Sequence, residues 1–358
     1  MFYKLILAAA MALMPMAAAQ AQDYPWKPTK PVTIVVPWGA GGSTDQVVRL
    51  LATELESALG QTVVVVNQPG ASGSIGTKSV LEAEKEGYTW ASGAAKDVGT
   101  YAVTGLLDTR LDDWHFYLAV INSSVIGVNA DTPYQTLEDL IQAMKANPGT
   151  VTVATAGINS SGGAALGAFS TGAGVEARHV TYDGGNPAVI ATAGGETEVT
   201  TQLAVEQAEM IRAGRIRPLA VVGTKPLKLE GVDEIPAITT ILPDFPASDN
   251  YFGIFVPAGT PNEVLQTLDM IWDDKIANSK ALQDYATSRG AIVAVVRGEE
   301  AKEAAMPAIK DSPGACGSAM RLRSIRPALA FRHAERVARG ALRRPAASPR
   351  LSQVDDPV

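Results

Sequence analysis

Residues 38 to 45, Trp38-Gly39-Ala40-Gly41-Gly42-Ser43-Thr44-Asp45, combine what an anion-binding loop requires: glycines that let the backbone approach a bound group, two hydroxyls, and an immediate run into a helix. The apolar strand Val32 to Val36 precedes the loop. Behind it Val47, Val48, Leu51, Leu55 and Leu59 recur at three- and four-residue spacing, which predicts a helix packed on a sheet with Arg49, Glu54 and Glu56 facing water. The loop therefore sits where unpaired N–H groups and the helix dipole favour a negative group, phosphate or carboxylate alike. Asp45 opposes an anion by its charge; it either pairs with the first-turn N–H groups or holds a water that bridges to the ligand.

The same plan recurs. Gly70-Ala71-Ser72-Gly73-Ser74 opens a helix from Ile75 to Ala83, and Gly93 to Thr100 reads as a third small-residue loop, carrying Lys96 and Asp97. After the strand Val151 to Thr155, Ala156 to Gly163 repeats the glycine-and-serine pattern before another helix. Thr155, Ser160 and Ser161 offer hydroxyls that either donate to a carboxylate or cap that helix. Lys96 belongs by default on the solvated surface; in an acidic chain it is also a local donor able to attract an acid. Arg178 and His179 alternate across a strand, so only one faces any cleft, and an ordinary sheet-surface role is expected for both.

Enzyme chemistry fits poorly. A nucleophile elbow needs G-x-S-x-G, and in Gly70-Ala71-Ser72-Gly73-Ser74 the final glycine is displaced. Outside the C-terminal tail the histidines are His115 and His179, with no Cys, so a His/Cys metal cluster is absent. A dinucleotide fold fails at the third glycine of the first loop, and the second strand ends in Asn67 where a ribose-binding acid belongs. No catalytic residue, metal or cofactor is expected.

These loops need strands and helices to position them. Val63 to Val66 is an all-apolar strand of the kind that suits a parallel sheet covered on both faces. Strands are expected at 87–92, 116–121 and 125–129, then a helix from Leu137 to Ala146 capped by Thr136 with Asp139 and stopped at Asn147-Pro148-Gly149. The strand, loop and helix plan restarts at Val151, which predicts a second α/β domain. Further strands are read at 177–181, 199–203 and 219–222, with helices beginning near Pro187 and covering 205–213. Residues 224 to 250, rich in Pro and charge, read as a surface connection. A strand at 251–256 precedes a long helix with Val264, Leu265, Leu268, Ile271, Trp272 and Ile276 on one face. A helix to about Ser288, a strand at 292–296 and a helix from about Glu299 follow.

The 358 residues, 46% hydrophobic and 19% charged, supply core for one or two domains. Residues 1 to 21 read as an export signal: Lys4, an apolar run from Leu5 to Met14, and Ala19-Gln20-Ala21 before a cut at Gln22. Residues 314 to 358 carry nine Arg and no Lys, whereas the whole chain has a net charge of −7. This aberrant basic tail is expected to be an out-of-frame extension beginning near Ser312 and not a nucleic-acid arm, since an exported protein seldom meets nucleic acid. The only Cys, Cys316, lies within it.

The runs Ile34 to Asp45 and Val65-Val66-Asn67-Gln68-Pro69-Gly70-Ala71-Ser72-Gly73 closely resemble the extracytoplasmic receptors of tripartite tricarboxylate transporters, the Bug family. Gly87-Tyr88-Thr89, Tyr182-Asp183-Gly184, the run Ala213 to Val221 and Pro257-Ala258-Gly259-Thr260-Pro261 match in the expected order, from about Pro31 to Ser312. The resemblance implies a type II periplasmic-binding-protein clamshell of two α/β domains with a two-crossing hinge. Residues 22–122 with 250–313 would form the first domain and 123–249 the second. It implies a periplasmic, monomeric receptor that hands a small carboxylic acid to membrane permease subunits and binds no nucleic acid. Carried over, the ligand residues are Trp38, Gly39, Ala40, Gly41, Gly42, Ser43, Thr44, Asp45, Ala71, Ser72, Ala95, Lys96, Thr155, Gly157, Asn159, Ser160, Ser161, Tyr182, Asp183 and Gly184. In the family the first loop and the Thr155 region hold one carboxylate, partly through waters. This chain departs from the pattern at Thr181, where Pro is common, and after Ser312. A sensor module presenting ligand to a signalling partner, or an exported enzyme with an unrecognised site, are the alternatives.

Overall fold

The computed structural model describes residues 23–310. The expected export signal and the basic tail with Cys316 lie outside them. In chain order the first elements are β1 (Val32–Val36), α1 (Ser43–Leu59), β2 (Val63–Asn67), α2 (Ser74–Leu81), β3 (Thr89–Ala94), α3 (Ala95–Thr104) and β4 (Trp114–Asn122). Then come β5 (Ser124–Asn129), α4 (Leu137–Ala146), β6 (Thr152–Thr155), α5 (Ser161–Ala173), β7 (Arg178–Thr181), α6 (Gly185–Ala193), β8 (Val199–Thr200), α7 (Ala204–Arg212) and β9 (Ile216–Val222). The chain closes with β10 (Tyr251–Pro257), α8 (Asn262–Ile271), α9 (Lys280–Arg289), β11 (Ala291–Arg297) and α10 (Gly298–Lys310).

Two sheets result, ordered β11-β4-β10-β3-β1-β2 and β7-β6-β8-β5-β9. In the first, β1 runs parallel to β2 and β3, while β10 is antiparallel to β3 and β4. In the second, β6 is parallel to β7 and β8, and β5 antiparallel to β8 and β9. The fold is therefore a two-domain α/β clamshell. The chain leaves the first sheet at Ser123 and returns after β9, and the two crossings lie side by side, Asn122 N donating to Asn250 O at 3.0 Å. Loops after β1, β3, β6 and β7 leave the C-terminal ends of parallel strands, the edge where open α/β sheets bind ligands.

The apolar spacing explains the packing. Val47, Val48, Leu51 and Leu55 of α1 are buried on the first sheet, and Val264, Leu268, Ile271, Trp272 and Ile276 cover it from α8 and the π turn Trp272–Ile276. Trp272 is fully buried and keeps its indole N–H satisfied by Leu118 O at 2.9 Å. Thr136 and Asp139 form the expected capping box on α4.

Five expectations change. β2 lies at the edge of its sheet, so Val64 and Val66 are exposed instead of covered. The stretch read as a loop from Gly93 to Thr100 is largely helix, because the chain turns directly into α3, whose Gly99 lets α10 approach; a Cβ there would lie 2.5 Å from Ile309 Cδ1. β8 spans two residues, not five. The 224–250 connection contributes to the core, burying Leu229, Ile235, Ile238 and Phe245. Glu54 is also only half in water, accepting from Ser279 Oγ at 2.6 Å.

Candidate functional site

The loop before α1 is built for close approach. Gly39 N donates to Asp183 O of the second domain at 2.9 Å, and a Cβ on Gly39 would lie 2.9 Å from that same oxygen. Gly41, at φ +80°, turns its N–H onto Asp45 Oδ2 at 2.9 Å. The Asp45 carboxylate also accepts from Arg49 Nε at 3.0 Å and Asn67 Nδ2 at 2.9 Å. These bonds hold its carboxyl below the usual range although burial pushes it up. Asp45 thus locks the loop and faces Arg49 and Asn67.

At the first turn of α1 the partner comes from a distance. Glu206, on α7 of the second domain, accepts from Ser43 N through Oε1 at 2.9 Å and from Leu203 N through Oε2 at 3.3 Å. With its amide turned so that both atoms are satisfied, Gln202 donates to Glu206 Oε2 at 3.1 Å and accepts from Ala156 N at 2.6 Å. Burial pushes the Glu206 carboxyl up to about 7, against the pull of the Ser43 and Leu203 N–H groups. Gly185 makes room for it, since a Cβ there would lie 2.2 Å from both carboxylate oxygens.

The opposing wall is the start of α5. Ser160 caps that helix, its Oγ accepting from Gly163 N at 3.0 Å, and Ser161 Oγ accepts from Asn250 Nδ2 at 2.8 Å. No acid lies in the first turn of α5. Between the two helix starts lies a cavity of about 20 Å³ lined by Trp38, Gly42, Ser43, Thr44, Ser160 and Ser161, together with Asp97, Ala156, Gly185, Gln202, Leu203, Glu206 and Phe252. The described residues include no group of three His, Cys, Asp or Glu able to hold a metal ion.

The other expected residues stand elsewhere. Lys96 is 5% exposed, not a solvated surface lysine, and its Nζ contacts Asp97 Oδ1 at 2.6 Å and Asn159 O at 3.0 Å. Asn159 also accepts from Thr100 at 2.8 Å, so this cluster ties α3 to the second domain. Lys96 and Asn159 border a separate cavity of about 370 Å³ that runs along α5 to His179. Thr155 is fully buried, bonded to Gly157 N at 3.0 Å and to His179 Nε2. Gly157 abuts Ser72, whose positive φ of 53° and that of Ala71, 45°, mark a tight turn. Tyr182 reaches Glu196 Oε1 at 2.9 Å, while Asp183 and Gly184 meet the Gly39 backbone. Ala40 is exposed and Ala95 buried. Sequence reading passed over Glu206 and Gln202. The signal available was an acid in the first turn of a helix following a strand end, the same plan as the recognised loops.

The model of the tripartite tricarboxylate transporter family receptor matches residues 47–294. A protein encoded in the tcbD-tcbE intergenic region of Pseudomonas sp. (strain P51) is 31% identical over 272 residues, covering 74% of this chain and 79% of that protein. A Rhodopseudomonas palustris protein solved with adipate superposes with a TM-score of 0.71 at 26% identity, over 82% of this chain and 98% of its own. MatC from Rhodopseudomonas palustris, solved with bound malate, shares the fold with a TM-score of 0.71 at 23% identity, over 81% of this chain and 98% of its own.

Proposed function

This chain belongs to the tripartite tricarboxylate transporter receptor family, and from that premise we propose that it is a periplasmic receptor that captures a small carboxylic acid between its two domains. The observation that carries the reading is the convergence of two helix N-termini, α1 from one domain and α5 from the other, on one polar cavity. Residues 23–122 with 250–310 act as one closing body and 123–249 as the other. The ligand carboxylate lodges at the start of α5, against the hydroxyls of Ser161 and Thr44. The malate and adipate bound by proteins of the same fold support an acid of this size. The receptor passes the acid to membrane permease subunits, reaches the periplasm by an export signal, and performs no chemistry on it.

A cavity of about 20 Å³ holds roughly one water and no such acid, so capture requires the domains to part and then close around the ligand. A ligand touching both domains shifts that equilibrium by its differential affinity for the closed form. Calorimetry of the purified protein against a panel of C4 to C6 acids tests the reading. Saturable one-to-one binding is expected; a folded protein that takes up none of them, with no copurified acid by native mass spectrometry, overturns it.

A further inference from the structure

The two helix starts facing the cavity are not equivalent. The α1 end already holds the chain's own negative groups: Asp45 in its first turn and the Glu206 carboxylate on Ser43 N. The α5 end carries no acid in its first turn and is capped only by the neutral Ser160. A second acid, Asp97, lines the same cavity, but Lys96 at 2.6 Å neutralises it. Among the described residues no cation pairs with Glu206: it accepts from Ser43 N and Leu203 N and, with the Gln202 amide turned, from that side chain, all neutral donors. The glycines at 42 and 185 seat this carboxylate, a Cβ at either position coming within 3.3 Å or 2.2 Å of Glu206 oxygens. Glu206 therefore occupies the α1 anion position with a built cradle around it.

We infer that Glu206 determines specificity: the ligand end that meets α1 donates hydrogen bonds to Glu206, so the receptor prefers an acid with an ammonium or amide at its far end over a dicarboxylate. The inference rests on the carboxylate-receptor reading, which places the ligand's carboxylate at α5. A second ligand carboxylate at α1 would face Glu206 without an intervening cation, whereas an ammonium supplies the positive charge that Glu206 lacks and an amide adds a further N–H donor.

Matched pairs test this by calorimetry at pH 8, above the value of about 7 to which the Glu206 carboxyl is raised: succinate against 3-aminopropanoate and against succinamate, and glutarate against 4-aminobutanoate. The donor-ended member of a pair is expected to bind about tenfold tighter or more, the scale of one hydrogen bond to a charged group. In Glu206→Gln, which keeps the side-chain length and removes the charge, the preference for the ammonium compounds is expected to collapse to within about threefold. Tighter binding of the diacids by the unmodified protein overturns the inference without any variant, as does a preference unchanged in a Glu206→Gln protein with a native circular dichroism spectrum. Equal binding of acids and donors overturns the inference and leaves the receptor reading standing. If no member of any pair binds, the carboxylate reading and the inference fall together.

Discussion

Asp45 and Glu206 are two acids at the start of one helix, and their surroundings push them in opposite directions. Asp45 is bonded to Gly41 N, Arg49 and Asn67, which hold its carboxyl low. A lowered folded value contributes stability above the unfolded value, and that contribution is lost as pH falls through the folded one. Asp45→Asn is therefore expected to cost about 2 kcal/mol at neutral pH, with the gap from the unmodified protein narrowing below about pH 4. Urea unfolding at pH 7 and pH 3.5 checks it, and a constant gap would refute the assignment. At Gly185 the constraint is space. Gly185→Ala brings a methyl against both Glu206 oxygens, so a loss of about 1–3 kcal/mol is expected in the same assay.

At the scale of elements, α1 and α5 begin alike, each with an extended residue after a glycine-bearing loop, Gly42 and Ser160. They differ in who satisfies the first N–H groups. α5 is capped within its own sequence by Ser160, so Ser160→Ala is expected to cost about 1 kcal/mol in thermal unfolding. α1 has no side-chain cap of its own, and Glu206 of α7 serves it from the other domain. Cutting the Ser160 bond thus weakens one domain, whereas cutting the Glu206 bond weakens the contact between two. The same contrast explains what was legible. The α4 capping box and the apolar faces of α1 and α8 are properties of residues three or four apart, so they could be read directly. β2 looked like a buried central strand because its run of valines does not say whether a further strand lies beside it.

Across the whole molecule polar bonds join the two sheets' halves: Gly39 to Asp183, Ser43 to Glu206, and Lys96 and Thr100 to Asn159. In the proposed closure the domain contact desolvates Glu206, whose carboxyl is raised to about 7, so the closed form would bind a proton more readily than an open form in which Glu206 meets water. Domain contact is thus expected to strengthen as pH falls from 8 to 6, with Asp97 paired to its neighbour Lys96 on α3. Small-angle scattering without added acid should show a smaller radius of gyration at pH 6 than at pH 8, and Glu206→Gln should remove the dependence. A radius independent of pH in the unmodified protein would count against it.

By itself the sequence determined the order of strands and helices apart from α3, the glycine loops at strand ends and the family they belong to, since each depends on residues within a few positions of one another. The tertiary structure alone decided that Lys96 is spent on Asp97 and Asn159, that Thr155 points into the core, and that Glu206, 163 residues away, caps α1. The physical reason is range. Periodicity and capping act along the chain, but the partner of an unpaired N–H or a buried charge is whichever distant segment the fold brings beside it.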